Sequence, residues 1–191
     1  MKKSLLVLAL GTLFAATASA NFYVQGDLGS TKIKAKGGED GKFSKNVFEP
    51  RLSVGYKFSD FRLALDYSHY NKIKETFVDA DEVTKTDFKI RGLGLSAIYD
   101  FTLNAPVTPF VGARLSLNHF STKDYTVYTS GSKETEKANE TRVGFGVLAG
   151  ADYKLTPNLA LVGTVEYNRL GRSEDVKIDA YGAKVGLRYD F

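Results

Sequence analysis

Residues 51–70, RLSVGYKFSDFRLALDYSHY, decide the fold because apolar and polar side chains alternate on both sides of a two-residue break. The alternating apolar residues are Leu52, Val54, Tyr56, Phe58, Phe61, Leu63, Leu65 and Tyr67. Successive side chains of a β-strand point to opposite faces, so each half of the stretch forms an amphipathic strand. The break at Ser59 and Asp60 fits a tight turn, and the stretch predicts a β-hairpin with one apolar face.

The same period of two recurs along the rest of the chain. The other alternating runs cover residues 22–28, 93–101, 111–118, 143–153, 159–168 and 180–191, and no segment has a convincing helical period. Eight amphipathic strands in an open sheet would leave two long unprotected edges. We therefore predict an all-β fold, an eight-stranded antiparallel up-and-down barrel.

The first twenty residues have the features of an export signal. A lysine-containing start precedes an apolar run from Leu5 to Ala16, and residues 18–20, ASA, form a small-x-small cleavage pattern. The apolar run is shorter than the roughly 18 residues of a transmembrane helix. We predict that residues 1–20 are a cleaved signal peptide and that residues 21–191 form the barrel domain.

Charge and cysteine content exclude two classes of protein. Without residues 1–20 the chain keeps 24 of its 26 basic residues against 22 acidic ones, a net charge of +2 that does not favour nucleic-acid binding. The chain has no cysteine, so a disulfide-stapled secreted scaffold is excluded. The stability of an exported chain of this size must come from a core or from a closed sheet.

Periodicity alone leaves two barrels open, a soluble ligand-binding barrel and an inside-out barrel in a membrane. The alternate positions that carry the polar side chains are here called the polar parity, and the positions between them the apolar parity. Glycine and other small residues are frequent in the polar parity, which fits the narrow interior of an eight-stranded barrel. Aromatic residues gather near short connections, at residues 59–60, 104–109 and 155–158, which alternate with polar stretches at 30–46, 72–86, 121–140 and 171–177. Together these features favour a transmembrane β-barrel of the bacterial outer membrane, with short periplasmic turns and long extracellular loops.

The chain ends on an aromatic residue of the apolar parity. We expect Phe191 to face lipid at the periplasmic interface, together with Tyr189. The alternation that leads to them resembles the C-terminal signal read by the barrel-assembly machinery. The expected partners are therefore this machinery, outer-membrane lipid and lipopolysaccharide.

Nine charged residues of the polar parity should share the lumen. They are Arg51, Lys57, Arg62, Asp66, Arg114, Asp152, Glu166, Lys184 and Arg188. Isolated charges in a narrow barrel are costly and must pair or hold water. A salt-bridge network that plugs the barrel is the simpler interpretation, and a small path for ions or solutes is the alternative.

The sequence predicts neither an enzyme nor a metal or cofactor site. Asp66 and Glu166 could act as acid and base, but a salt-bridged network explains them more simply. The two histidines, His69 and His119, lie on the apolar parity just beyond lipid-facing runs, and the chain has no cysteine or third histidine to complete a metal site.

Surface function is expected in the long loops, because a barrel fixes their bases and leaves their tips free. The candidate contact residues are Lys32, Lys34, Lys36, Lys42, Phe77, Tyr125 and Tyr128. Contact between the lysine-rich first loop and an acidic polysaccharide is the functional interpretation. A solvated loop that faces lipopolysaccharide, or hairpins that simply extend above the membrane, are the alternatives.

Four segments resemble a known family. FYVQGDLG at residues 22–29, RLSVGYKFSDFRLALDYSHY at 51–70, LGLSAIYDF at 93–101 and above all APVTPFVGARLSLN at 105–118 are similar to the opacity family, and within it to the neisserial surface protein A type of outer-membrane barrel. The resemblance implies an eight-stranded barrel with four surface loops. It also implies adhesins that bind host receptors, heparan-type glycans or complement regulators.

Two functions follow as competing hypotheses. The first is a surface adhesin that binds host cells, glycans or host factors through its extracellular loops. The second is a small porin or structural envelope protein, whose conductance would not depend on those loops. The resemblance favours the first, while the naming of the family as porins keeps the second open.

Overall fold

The computed structural model describes residues 21–36, 42–78, 82–103, 105–128, 133–173 and 176–191. Its strands are β1 (Phe22–Lys36), β2 (Lys42–Phe58), β3 (Phe61–Val78), β4 (Glu82–Asp100), β5 (Val107–Tyr128), β6 (Lys133–Lys154), β7 (Leu159–Ser173) and β8 (Val176–Asp190). Each strand pairs antiparallel with the next, and β8 pairs with β1, so the barrel is closed. The predicted fold class is confirmed. No helix in the described ranges is long and apolar enough to cross a membrane.

The two faces of the strands separate as the parity predicts. Large apolar side chains such as Leu28, Leu115 and Val143 are exposed on the outer wall. The polar parity points inward, where Arg62 and Arg114 are among the most deeply buried side chains. A wall that exposes apolar groups around a polar interior is the arrangement of a barrel surrounded by lipid.

Short turns and paired aromatic rings mark one end of the barrel. Ser59 has a positive φ of 55° in a two-residue turn that places Phe58 opposite Phe61. On the outer wall at this end, ring pairs with centroids about 5 Å apart include Tyr99 with Phe101. Tyr189 and Phe191 form another such pair at 5.0 Å, and the Phe191 backbone nitrogen donates a hydrogen bond of 3.0 Å to the Phe22 carbonyl.

At the opposite end the strands continue much further than the alternation predicts. Most of the residues predicted as loops at 30–46, 72–86 and 121–140 are paired strand, as in β5 and β6, which face each other up to Val127 and Lys133. Alternation is weak there because the outward face of a strand that has left the lipid carries polar residues, while apolar residues of the inward face, such as Ile33 and Phe120, are few and scattered. The connecting residues 37–41, 79–81, 129–132 and 174–175 lie outside the described ranges.

The barrel divides into two sheets at this end. Pairing between β2 and β3 stops at Arg51 opposite Ser68, and pairing between β6 and β7 stops at Phe145 opposite Arg169. The other neighbours stay paired close to the strand tips. Beyond the division, a sheet of β7, β8, β1 and β2, here called the lysine sheet, faces a sheet of β3, β4, β5 and β6, here called the tyrosine sheet.

An apolar cluster fills the space between these two sheets. Its buried members are Ile33, Val47, Leu170 and Ala180 from the lysine sheet and Tyr70, Ile90 and Phe120 from the tyrosine sheet, with Phe88 and Ile178 packed against them. The burial of these side chains holds the two sheets together where backbone pairing has ended.

Candidate functional site

Five of the predicted lumen residues form one cluster halfway along the barrel. Arg51 donates two hydrogen bonds, of 2.7 and 2.8 Å, to the carboxylate of Glu166, and Lys184 pairs with the same carboxylate. Arg114 binds Asp66 with the same two-point geometry, at 2.9 and 2.5 Å. Arg51 Nε lies 3.7 Å from Asp66 Oδ1 and joins the two pairs. Two-point contacts of this kind offset much of the cost of burying charge.

The other four predicted lumen residues lie together near the short turns. Arg62 Nη2 lies 2.7 Å from Asp100 Oδ1 and 3.4 Å from Asp152 Oδ2. Arg188 also pairs with Asp152, and the partly exposed Lys57 lies 3.5 Å from Asp100. Arg188 Nε also lies 3.2 Å from Asp190 Oδ1, so the three cations of this second cluster face three carboxylates at the periplasmic end of the lumen.

Aromatic and aliphatic side chains pack around the second cluster. The guanidinium of Arg62 lies 5.6 Å from the ring centroid of Tyr23 and 5.0 Å from that of Phe110. Contacts of this kind stabilise a desolvated cation through the ring faces. Phe110 belongs to an apolar group with Ile98, Leu148 and Val162.

Sequence reasoning missed three carboxylates of the described lumen, Glu49, Asp100 and Asp27. Asp27 is buried and accepts a hydrogen bond of 2.9 Å from Gln25. Glu49 is fully buried, accepts hydrogen bonds from Arg51 at 2.9 Å and Thr31 at 2.5 Å, and lies 3.1 Å from Lys184 Nζ. Glu49 directly precedes the alternating run that begins the predicted second strand, so the sequence pattern did not assign it to the inward face. Asp100 was recognisable, because it has the polar parity of the run at residues 93–101.

The lumen is filled along the described residues. Between the two charged clusters a cavity of about 40 Å³ remains, lined by residues that include Tyr23, Arg51 and Lys184. That volume holds roughly a few water molecules. The apolar cluster between the two sheets covers the lumen at the other end. The described side chains therefore leave no wide path for solutes.

Four basic residues form a row across the far end of the lysine sheet. Lys36 faces Lys42 on one side and Lys177 on the other, and Lys177 faces Arg172. With strands about 4.8 Å apart, this basic row spans roughly 14 Å. Like charges at facing positions destabilise a sheet, so the pairing of the strands does not account for the row.

The predicted contact residues fall on two different sheets. Lys32 is exposed on the lysine sheet, where Lys34 Nζ lies 5.0 Å from the ring centroid of Tyr181. Tyr125 is exposed on the tyrosine sheet. Lys36 and Lys42 are placed by their backbones in the basic row, while Phe77 faces Thr84 and Tyr128 faces Glu82. The structure thus separates the lysines from the apolar and aromatic candidates.

A concave opening of about 340 Å³ lies where the two sheets face each other, and the sequence did not indicate it. Phe88, Phe120 and Ile178 are among its lining residues. At its rim Arg142 lies 5.7 Å from the ring centroid of Phe120 and donates a hydrogen bond of 2.5 Å to Glu140. This hydrogen bond lowers the pKa of the Glu140 carboxyl group.

The two histidines lie on the outer wall beyond the lipid-facing runs. His119 Nδ1 is 3.1 Å from Thr141 Oγ1, and His69 and His119 face the same residue, Arg91, from its two sides. Within the described ranges, no group of three or more His, Cys, Asp or Glu side chains could hold a metal ion.

Comparison with known families decides the identity of this barrel. A model of the family described as "Opacity family porin protein" matches residues 54–191. The chain belongs to the opacity family. Protein opa of Haemophilus influenzae is 42% identical over 139 residues, covering 72% of this chain and 100% of that protein. Opacity protein V28 of Neisseria gonorrhoeae is 34% identical over 183 residues, covering 74% of this chain and 77% of that protein.

Solved structures agree with this placement. The crystal structure of neisserial surface protein A matches this opacity-family barrel with a TM-score of 0.62 and 37% identity, covering 89% of this chain and 97% of that chain. Ail, the attachment invasion locus protein of Yersinia pestis, was solved in complex with the heparin analogue sucrose octasulfate. That structure has a TM-score of 0.56 and 18% identity, covering 88% of this chain and 99% of Ail, so it supports the fold alone.

The family and its structures fix where the opacity-family barrel lies. It is an integral β-barrel of the bacterial outer membrane, with its apolar wall in the lipid. The short turns face the periplasm, and the two sheets project outside the cell. None of the relatives described above is named for an enzymatic activity.

Proposed function

We propose that this protein is a surface adhesin whose extracellular sheets bind anionic glycans of host cells. The observation that carries the proposal is the basic row of Lys42, Lys36, Lys177 and Arg172 at facing positions of the lysine sheet. A polyanion laid across the row would relieve the repulsion between like charges and release bound counterions. A heparan-type glycan has this repeated negative charge.

Other basic residues of the lysine sheet also support glycan binding. Lys32 is exposed, and Lys34 lies near Tyr181 on the outward face. A register shift between Arg169 and Gly171 on β7 comes just before Arg172, whereas β2 and β8 pair with β1 without a break along Lys32, Lys34, Lys36, Lys42 and Lys177. A pre-ordered surface loses less conformational entropy on binding than a flexible loop does. The heparin analogue in the Ail structure is a precedent for such a ligand on a barrel of this size.

The filled lumen argues against the porin hypothesis. Buried salt bridges and apolar side chains occupy it along the described residues. The aromatic candidates Tyr125, Phe77 and Tyr128 lie on the opposite sheet, where a host receptor or a complement regulator would make protein contacts. Glycan binding on the lysine sheet is the function that the arrangement of charge supports best.

A charge-neutralising variant tests the proposal. We expect the quadruple variant with Lys36→Gln, Lys42→Gln, Arg172→Gln and Lys177→Gln to bind immobilised heparin about tenfold more weakly, or worse, near physiological salt. The measurement is equilibrium binding of the purified, refolded barrel. The binding of the unchanged barrel should also weaken as the salt concentration rises.

The matched control removes the same charge from the other sheet. It carries Lys85→Gln, Lys89→Gln, Lys123→Gln and Lys137→Gln, and we expect it to keep most of the heparin affinity. Equal losses in the two variants would mean that net charge alone governs binding, and would contradict a site on the lysine sheet. Undiminished binding in the first variant would also contradict it.

We also propose that both ends of the chain serve assembly. Residues 1–20 would be removed after export, with Asn21 as the new N-terminus. Tyr189 and Phe191 would be read by the barrel-assembly machinery. Their adjacent outward rings and the hydrogen bond from Phe191 to Phe22 at the barrel seam support this role.

A further inference from the structure

On the outer wall of the tyrosine sheet, the side chains change from apolar to polar at the same level on all four strands. Tyr67, Leu93, Leu117 and Val143 face one another in sequence across β3, β4, β5 and β6. All four are exposed, from 47% for Tyr67 to 71% for Val143. They form the last fully apolar row of this wall, because the next outward residue on each strand is polar.

The row directly above is His69, Arg91, His119 and Thr141, again at facing positions. Arg91, His119 and Thr141 are exposed, and His69 is half-buried. With strands about 4.8 Å apart, this headgroup row is roughly 14 Å wide. It lies two residues, or about 7 Å along each strand, beyond the apolar row. That is the level at which the headgroups of the outer leaflet begin.

Arg91 at the centre of the row has its charge available. Within the described ranges, its side chain makes no hydrogen bond or ion pair with another residue. Arg169, an outward arginine on β7, the neighbour of β6, is different. It donates a hydrogen bond of 3.1 Å to Asp179 and another of 3.1 Å to the Tyr167 hydroxyl. The two arginines can therefore be compared directly, because the charge of Arg91 has no partner among the described residues and that of Arg169 is already paired with Asp179.

We propose that the headgroup row binds a phosphate group of the glycolipid in the outer leaflet. The guanidinium of Arg91 would hold two phosphate oxygens at once. His69, His119 and Thr141 would supply further nitrogen or hydroxyl donors on its two sides. The acyl chains of the same lipid would lie on the apolar row immediately below.

An open apolar groove of about 710 Å³ lies lower on the outer wall, and Ala97, Val111, Ala149 and Val165 are among its lining residues. Phe61 and Tyr99 also line it, so it lies toward the short turns, about 20 Å along the strands from the headgroup row. Small side chains at Ala97 and Ala149 create the hollow. Because this groove lies toward the periplasmic side, the acyl contacts of the proposed lipid are assigned to the apolar row directly below the headgroup row and not to the groove.

Binding of defined lipids to the purified, refolded barrel tests this proposal. The probes are lipid A with two phosphate groups and the same lipid after enzymatic removal of both, with retained lipid measured by native mass spectrometry. We expect at least tenfold preference for the phosphorylated lipid, and loss of that preference in Arg91→Gln. The variant His69→Gln with His119→Gln should lose part of it.

Three controls separate the proposal from its alternatives. Arg169→Gln should keep the preference, because its charge is already taken up by Asp179. Inorganic phosphate at millimolar concentration should not displace the lipid, and Arg91→Gln should bind heparin normally. Equal binding of the two lipids by the unchanged barrel, displacement by inorganic phosphate, or an equal loss in Arg169→Gln would overturn the assignment.

Discussion

Replacing Glu166 by glutamine is expected to lower the free energy of unfolding by about 3 kcal/mol, since it leaves buried cations without their nearest carboxylate. Glu166 receives both hydrogen bonds of Arg51 and also pairs with Lys184. Among the residues that the structure describes, Glu49 is then the one carboxylate left within ion-pair distance of Lys184, at 3.1 Å. The measurement is urea unfolding of the barrel in phospholipid vesicles, followed by the gel shift between folded and unfolded forms.

Two further variants make this result specific. Glu140→Gln also breaks a carboxylate–arginine pair, but the pair lies at the exposed rim, and we expect no measurable change in stability. Adding Lys184→Met to Glu166→Gln removes one stranded cation and should recover part of the loss. If Glu166→Gln and the unchanged barrel unfolded at the same urea concentration, the lumen network would not stabilise the barrel.

Replacing Gly150 by valine is expected to prevent folding or to destabilise the barrel severely. Gly150 faces the lumen on β6, and an added Cβ would collide with the carbonyl oxygen of Gly163 and the ring of Phe110. Neither can move easily, because one is backbone of the neighbouring strand and the other belongs to a packed apolar group. Overpacking of this kind costs about 1–3 kcal/mol or more.

Gly163 supplies the matched control on the adjacent strand. A Cβ at Gly163 would meet no atom within 4 Å, because this residue faces outward. Gly163→Val should therefore fold at least as well as the unchanged chain, since valine favours strands and adds apolar surface to the lipid-facing wall. The measurement is the folded fraction after refolding into detergent. Equal folded fractions for the two valine variants would refute the tight lumen.

Alternation was sufficient to predict which side of each strand faces the lumen. Arg62, Asp66 and Arg114 were placed inside because they share a parity with glycine and serine, opposite Leu63, Leu65 and Leu115. This prediction succeeds because lipid on one side and a narrow interior on the other impose opposite demands on neighbouring residues.

The part outside the membrane could not be predicted in the same way. Ile33, Val47 and Phe120 stand isolated among polar residues in the sequence, and they form a core only when the two sheets face each other. The basic row depends on register across β2, β1, β8 and β7, which no single segment contains. Glu49 was missed for a different reason: it shares the inward face of Arg51 two residues away, but it lies just before the alternating run begins.

Adhesion of bacteria to epithelial cells tests the central claim most directly. Two shortened barrels preserve strand register, because each joins facing residues through an Asn-Gly turn, Lys34 to Ser44 in one and Lys123 to Lys137 in the other. Surface level is matched by antibody staining. A third barrel carries both changes, and we predict that it loses adhesion while it still folds. We also predict that the Lys34 to Ser44 change accounts for most of the loss.

Equal adhesion by the intact and the doubly shortened barrels at matched surface levels would contradict the account. The extracellular sheets would then not be the binding surface. Steady conductance of both barrels in planar bilayers would instead favour the porin, with Arg62, Asp66, Arg114 and Glu166 as the residues to change.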